Sequence, residues 1–210
     1  YQFTPDGKSM LYVSETDRFP ELKELKKKGF DAEFYEETYN DLSLFIYNLA
    51  SKESRKLTNN ISVFDYEISP DGKSVAALMA PKNLVDDSYI FKRVFVIDIA
   101  TGESKIIVDE LGKITKISWS PDSKHLAFVA GSDIEDPVSG SLFITKVSEF
   151  KKLSELKNYT LAFEGSVKSC AWLDANTVIY NSDESVDITL RSVKVGSDKS
   201  ELLLKGGNVV

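Results

Sequence analysis

Cysteine is almost missing from this chain. Cys170 stands alone among 210 residues, so no disulfide can form within it and the redox compartment leaves no trace. Histidine is as scarce, with His125 the one example. A serine-type hydrolytic centre needs a nucleophile, a base and an acid to orient the base. A single histidine at the head of an apolar strand, straight after Ser120-Pro121-Asp122-Ser123-Lys124, reads instead as a surface or strand-packing residue. The nucleophile elbow Gly-x-Ser-x-Gly does not occur. Nor does a glycine-rich phosphate loop, or a Cys/His cluster at zinc-ligand spacing. Cys170 sits beside Ala171-Trp172 on a strand-like run and reads as a buried structural thiol. No apolar run is long enough to span a bilayer. Positive charge is in deficit: Lys+Arg number 26 against 33 Asp+Glu, a net −7, which argues against a nucleic-acid surface. These absences leave no catalytic residue, cofactor or metal to expect from this chain alone.

What the chain has instead is a repeat. Thr4-Pro5-Asp6-Gly7-Lys8 returns as Ser69-Pro70-Asp71-Gly72-Lys73, as Ser120-Pro121-Asp122-Ser123-Lys124 and, degenerate, as Leu173-Asp174-Ala175-Asn176. The four aspartates stand 65, 51 and 52 residues apart. Each copy is followed by a short apolar strand: Met10 to Val13, Val75 to Leu78, Leu126 to Val129 and Val178 to Tyr180. The local chemistry is that of a type I turn. Ser or Asp caps the first position, Pro presets φ at the next, and Gly accepts positive φ at the close. Ser123 in the glycine's place predicts a mildly strained or differently shaped turn, and Asn176 is expected to supply the left-handed residue of the shortened copy.

A period of that size carried by strands means radial β-repeats. The expected fold class is therefore all-β, a β-propeller of four-stranded antiparallel blades. About four blades are present, near 1–59, 60–112, 113–163 and 164–206. They form part of a larger ring, with one short helical insertion. The fourth strand of the third blade is the least legible. The chain opens inside a repeat, with Tyr1-Gln2-Phe3 ending an inner strand, which leaves room for an upstream segment. Gly206-Gly207-Asn208-Val209 reads as a passage into another blade.

The Pro-Asp-Gly-Lys-type turns, preceded by Phe3, Ile68 and Trp119, with Leu44-Phe45-Ile46-Tyr47-Asn48-Leu49-Ala50 and Val94 to Glu103, resemble TolB-type and dipeptidyl-peptidase-type propeller repeats over nearly the whole chain. The stretch Ala80 to Arg93 resembles insertions in bacterial prolyl oligopeptidase family proteins. That resemblance implies an N-terminal propeller followed by an α/β-hydrolase domain that cleaves peptides. The implied partners are a C-terminal hydrolase domain and a peptide substrate, in a periplasmic or secreted rather than cytoplasmic setting. Repeat resemblance specifies fold and not activity, so a TolB-like protein-interaction scaffold with no hydrolase stands as the alternative. Glu36-Glu37 within Phe34-Tyr35-Glu36-Glu37 resembles the glutamate pair that holds a substrate amino terminus in dipeptidyl peptidase IV. It precedes a third strand here, where an exposed acidic segment is the plain reading. Asp133, Glu135 and Asp136 share a loop that supplies oxygen atoms suited to calcium, but without EF-hand spacing they read as a solvated loop.

Blade topology adds a constraint. In an antiparallel blade the second-to-third connections emerge on one face and the Pro-Asp-Gly turns on the other. The long connections, Glu15 to Asn40, Pro81 to Phe91 and Gly131 to Gly140, are all second-to-third, so elaboration belongs to one face. Loops on a rigid scaffold commonly carry binding. Within the first connection Pro20 opens a helix, Glu21 and Glu24 sit at its positive end and Gly29 stops it. Leu22 and Leu25 are expected to face inward and Glu24 to pair with Lys28. Tyr35, Tyr39, Tyr89 and Phe91, with Glu36 and Glu37, are the candidate contacts for a second domain or a peptide. The competing reading has these side chains only packing their own excursions.

Overall fold

The computed structural model describes residues 1–32, 36–109, 112–131, 133–134 and 138–208. Its strands assemble into four sheets in sequence order. The first holds β1 (Gln2–Phe3), β2 (Ser9–Asp17), β3 (Asn40–Asn48) and β4 (Ser54–Lys56), with helix α1 (Pro20–Lys27) between β2 and β3. The second holds β5 (Ser62–Ile68), β6 (Ser74–Ala80), β7 (Arg93–Asp98) and β8 (Ser104–Asp109), with helix α2 (Val85–Tyr89) between β6 and β7. The third has only β9 (Ile114–Trp119), β10 (His125–Gly131) and β11 (Gly140–Lys146). The fourth comprises β13 (Ser166–Asp174), β14 (Thr177–Glu184), β15 (Asp187–Lys194) and β16 (Ser200–Asn208).

The third unit departs from the expected pattern. The two-residue β12 (Lys151–Lys152) leaves it and pairs parallel with β8, making the second sheet five-stranded. The chain then returns, and Asn158 bridges Phe143 while the Tyr159 amide donates to the Leu142 carbonyl at 2.9 Å. The first sheet shows what this remnant replaces. There the Leu57 amide donates to the Leu44 carbonyl and Thr58 Oγ1 accepts the Leu44 amide, as Thr160 Oγ1 accepts that of Leu142.

The turns close as the motif requires. In each proline-bearing copy the Ser or Thr hydroxyl donates to the aspartate, Ser69 to Asp71 at 2.6 Å for example. The aspartate in turn accepts the amide of the lysine two residues on. Gly7, Gly72 and Ser123 occupy the same left-handed position, at φ 68°, 71° and 59°. Ser123 thus keeps the turn's shape and bears the strain that glycine avoids. Its hydroxyl is used: it accepts the Asp71 amide of the neighbouring turn at 3.1 Å. Asn176, against expectation, is not left-handed; its amide donates to Asp174 Oδ1 at 2.7 Å, and that bond closes the shortened turn instead.

Three cores lie between the four sheets. Strand periodicity divides β6 between two of them: Val75, Ala77 and Met79 face the first sheet, and Ala76 and Leu78 the third. A strand buried on both faces reads as a continuous apolar run, as Val75 to Ala80 and Leu126 to Ala130 do. The outer faces of the first and fourth sheets remain open. Phe3, Met10, Tyr12, Phe45 and Tyr47 share one by strand register, with Tyr12 stacked on Phe45 at 5.3 Å. Leu190 and Leu204, cross-strand partners, share the other.

Candidate functional site

The first long connection is anchored at its root. β2 and β3 pair as far as Asp17 and Asn40, and the next residue, Arg18, reaches back to both oxygens of the buried Asp41, at 3.3 and 3.1 Å. The Arg18 guanidinium also lies 5.9 Å from the Tyr39 ring, whose edge meets Phe19 at 5.5 Å. Tyr39 is thus seated within its own excursion. Helix α1 rides above it and buries no residue: Leu25 is 40% exposed, against the expected inward face. Glu24 pairs with Lys27 one turn along, not with Lys28. Glu36 and Glu37 are exposed, Glu36 in a left-handed conformation. Tyr35 lies outside the described residues, as do Glu135 and Asp136.

The second connection carries α2, a helix the sequence did not announce. The buried carboxylate of Asp87 accepts the Lys82 amide at 3.0 Å and so ties the helix to the strand it follows. This leaves Tyr89 57% and Phe91 41% exposed at its end, with Lys113 Nζ 5.9 Å from the Tyr89 ring. Asn83 Nδ2 donates to the Asn40 carbonyl at 3.0 Å, joining the second connection to the root of the first. The Gly112 amide donates to Ile90 O at 3.4 Å, and Gly131 N to Lys113 O at 2.7 Å, so the same edge continues to the third.

A second constellation lies on the inner strands, and the sequence reading missed it. Glu67 on β5 accepts the Trp119 amide of β9 at 3.0 Å through Oε2, and its own carbonyl accepts Trp119 Nε1 at 2.9 Å. One sheet further, Trp172 Nε1 donates to the Ser118 carbonyl at 3.0 Å. Lys116 stands 3.7 Å from Asp65. Burial pushes Glu67 up to about 7; the Trp119 amide opposes that rise, Asp65 adds to it and Lys116 counters it. Burial, aided by the Glu67 charge, pushes the Cys170 thiol up to about 12, which makes it a poor nucleophile. His125 has Nδ1 buried with no partner among the described residues, and its ring lies 6.2 Å from that of Trp172. It is a packed residue.

The strap that replaces the third sheet's fourth strand roofs a cavity of about 1080 Å³ lined by Phe143, Leu156, Tyr159, Phe163, Tyr180 and Ser200, among others. No cluster suited to a metal ion occurs among the described residues. No helix among them is long and apolar enough to cross a membrane.

Comparison with known proteins gives this geometry a context. No protein-family model matches the chain. It is 29% identical over 138 residues to Dipeptidyl-peptidase 5 of Porphyromonas gingivalis, a match covering 64% of this chain and 18% of that protein. The dipeptidyl peptidase 4 structure from the same organism superposes on 99% of this chain and 32% of its own, with TM-score 0.63 and 16% identity. A putative TolB from Agrobacterium tumefaciens superposes on 97% of this chain and 63% of its own, with TM-score 0.60 and 16% identity. The fold is that of TolB-like propellers and dipeptidyl-peptidase-type peptidases. In this propeller-like frame β1, β5, β9 and β13 are the first strands of successive sheets, and Glu67 and Trp119 join two of them. Arg18, Asn83 and α2 belong to the long connections at the opposite end from the Pro-Asp-Gly turns. The chain spans less than a fifth of the curated relative it matches, at 18%.

Proposed function

We propose that this chain is part of the non-catalytic propeller of a dipeptidyl-peptidase-like serine peptidase of the prolyl oligopeptidase family. It gates or orients peptides for a hydrolase domain outside these residues. The single observation that carries the reading is the match to Dipeptidyl-peptidase 5. The joined connections on one edge are the natural contact surface, with Tyr89 and Phe91 exposed there and Glu36-Glu37 available to a peptide amino terminus. The four sheets act as four blades, near 1–59, 60–112, 113–163 and 164–206, of a larger ring. The open outer faces of the first and fourth sheets are what further blades would cover. A periplasmic or secreted location follows from the same reading.

The test is alanine substitution in the full-length protein. Tyr89→Ala and Phe91→Ala should leave the melting temperature in place and lower kcat/KM for peptides by about tenfold, as loss of one aromatic contact does. Tyr39→Ala should instead destabilise by about 1–2 kcal/mol, because it removes the packing beside Arg18 and Phe19. Unchanged peptide kinetics in both exposed-site variants would mean that these side chains only pack their own excursions. No peptidase activity in the unsubstituted full-length protein would favour the second reading, a TolB-like interaction scaffold, which the superposition over 97% of the chain on the A. tumefaciens protein supports.

A further inference from the structure

Among the described residues the inner strands β1, β5, β9 and β13 each lie at the end of a sheet, which leaves one edge without a strand partner. Side chains of the preceding sheet cap it. Gln2 of β1 accepts the Ile68 amide at 3.1 Å through Oε1 and donates from Nε2 to the Tyr66 carbonyl at 2.9 Å, so one amide closes two groups of the β5 edge. Glu67 holds the same place one repeat later. Both residues precede the turn's Ser or Thr by the same interval, Gln2 before Thr4 and Glu67 before Ser69. Glu67 Oε2 accepts the Trp119 amide just as Gln2 Oε1 accepts that of Ile68. The carbonyl equivalent to that of Tyr66 is then that of Ile117. A neutral carboxyl has an O–H to offer it; a carboxylate has only lone pairs.

We propose that Glu67 works as a proton-dependent cap on the inner edge of β9. Protonated, it substitutes for the glutamine of the preceding repeat and donates to the Ile117 carbonyl. Ionised, it loses that bond and loosens the junction between the second and third sheets. The proton passes to solvent, and no other group changes state. The charged and titratable groups around it are Asp65 on its own strand, Lys116 on β9 and Cys170 on β13. The direction agrees: the folded value of about 7 lies above the ordinary 4.5. The cap's contribution is therefore complete below about pH 4.5 and is lost as pH rises through about 7. Gln2 has no such transition, which makes the β5 edge an internal control.

Hydrogen exchange on the full-length protein, corrected for intrinsic rates, tests this with segments 114–119 and 62–68 read in one experiment. Between pH 6 and 8 protection of the first should fall about tenfold relative to the second, the effect of releasing one proton as pH crosses the folded value of about 7. Glu67→Gln should abolish the fall while keeping the protection seen at low pH. Gln2→Glu should transfer a pH-dependent fall to segment 62–68. A ratio independent of pH in the unsubstituted protein, an equal fall in Glu67→Gln, or an indifferent Gln2→Glu would overturn the proposal.

Discussion

At the scale of single residues the fold is written in the turn. The aspartate of each copy accepts a side-chain and a main-chain donor, and at Asp122 the Ser120 hydroxyl, ahead of the Lys124 amide, holds the carboxyl below its ordinary value of 3.8. A depressed carboxyl gives stability above its unfolded value and withdraws it as pH falls through the folded one. Asp122→Asn should therefore melt about 2–4 °C lower at pH 7, where the charged acceptor is lost, and the gap should narrow as pH falls below the ordinary carboxyl value of 3.8. Thermal melts at pH 7 and pH 2.5 check this. The turns were legible because the partners that close each one lie within a few residues of its aspartate. Glu67 was not: its partner amide lies 52 residues away, and only the recurrence of Gln2, Glu67 and Ser118 at one offset before the turns hints at it.

At the scale of elements, the strands that follow a turn could be read from apolar runs between polar corners, while sheet membership at the edges could not. Nothing in Lys151-Lys152 says that it joins the second sheet and not the third, because two residues carry no register of their own. A signal for the remnant strand did exist: Lys157-Asn158-Tyr159-Thr160 parallels Arg55-Lys56-Leu57-Thr58, with the threonine capping the third strand in both. Helix α1 was legible from its ends, but its inward face only in part: Leu22 is half-buried and lines a groove with Phe19 and Tyr39, while Leu25 stays exposed. Between the third and fourth sheets the fit is close at Gly140, where a Cβ would stand 2.2 Å from the Val167 carbonyl. Gly140→Ala should cost about 2–3 kcal/mol by forcing β11 from β13, measured as a shift in denaturation midpoint with unchanged slope. A change under 0.5 kcal/mol would mean that the two strands are not so close.

At the scale of the molecule, three apolar interfaces hold four sheets in series, while an aromatic face at one end and a leucine-bearing face at the other are left open. The spacing of the turn motif pointed to an all-β repeat and gave no sign of which connections touch. Those contacts, Asn83 to Asn40 and Gly112 to Ile90, gather the elaboration on the edge that the peptidase reading assigns to substrate or hydrolase. The most direct test of that reading is fluorophosphonate labelling of the full-length protein followed by peptide mapping. The account predicts stoichiometric labelling of one serine outside residues 1–210. No labelling, or labelling of a serine within them, would contradict it.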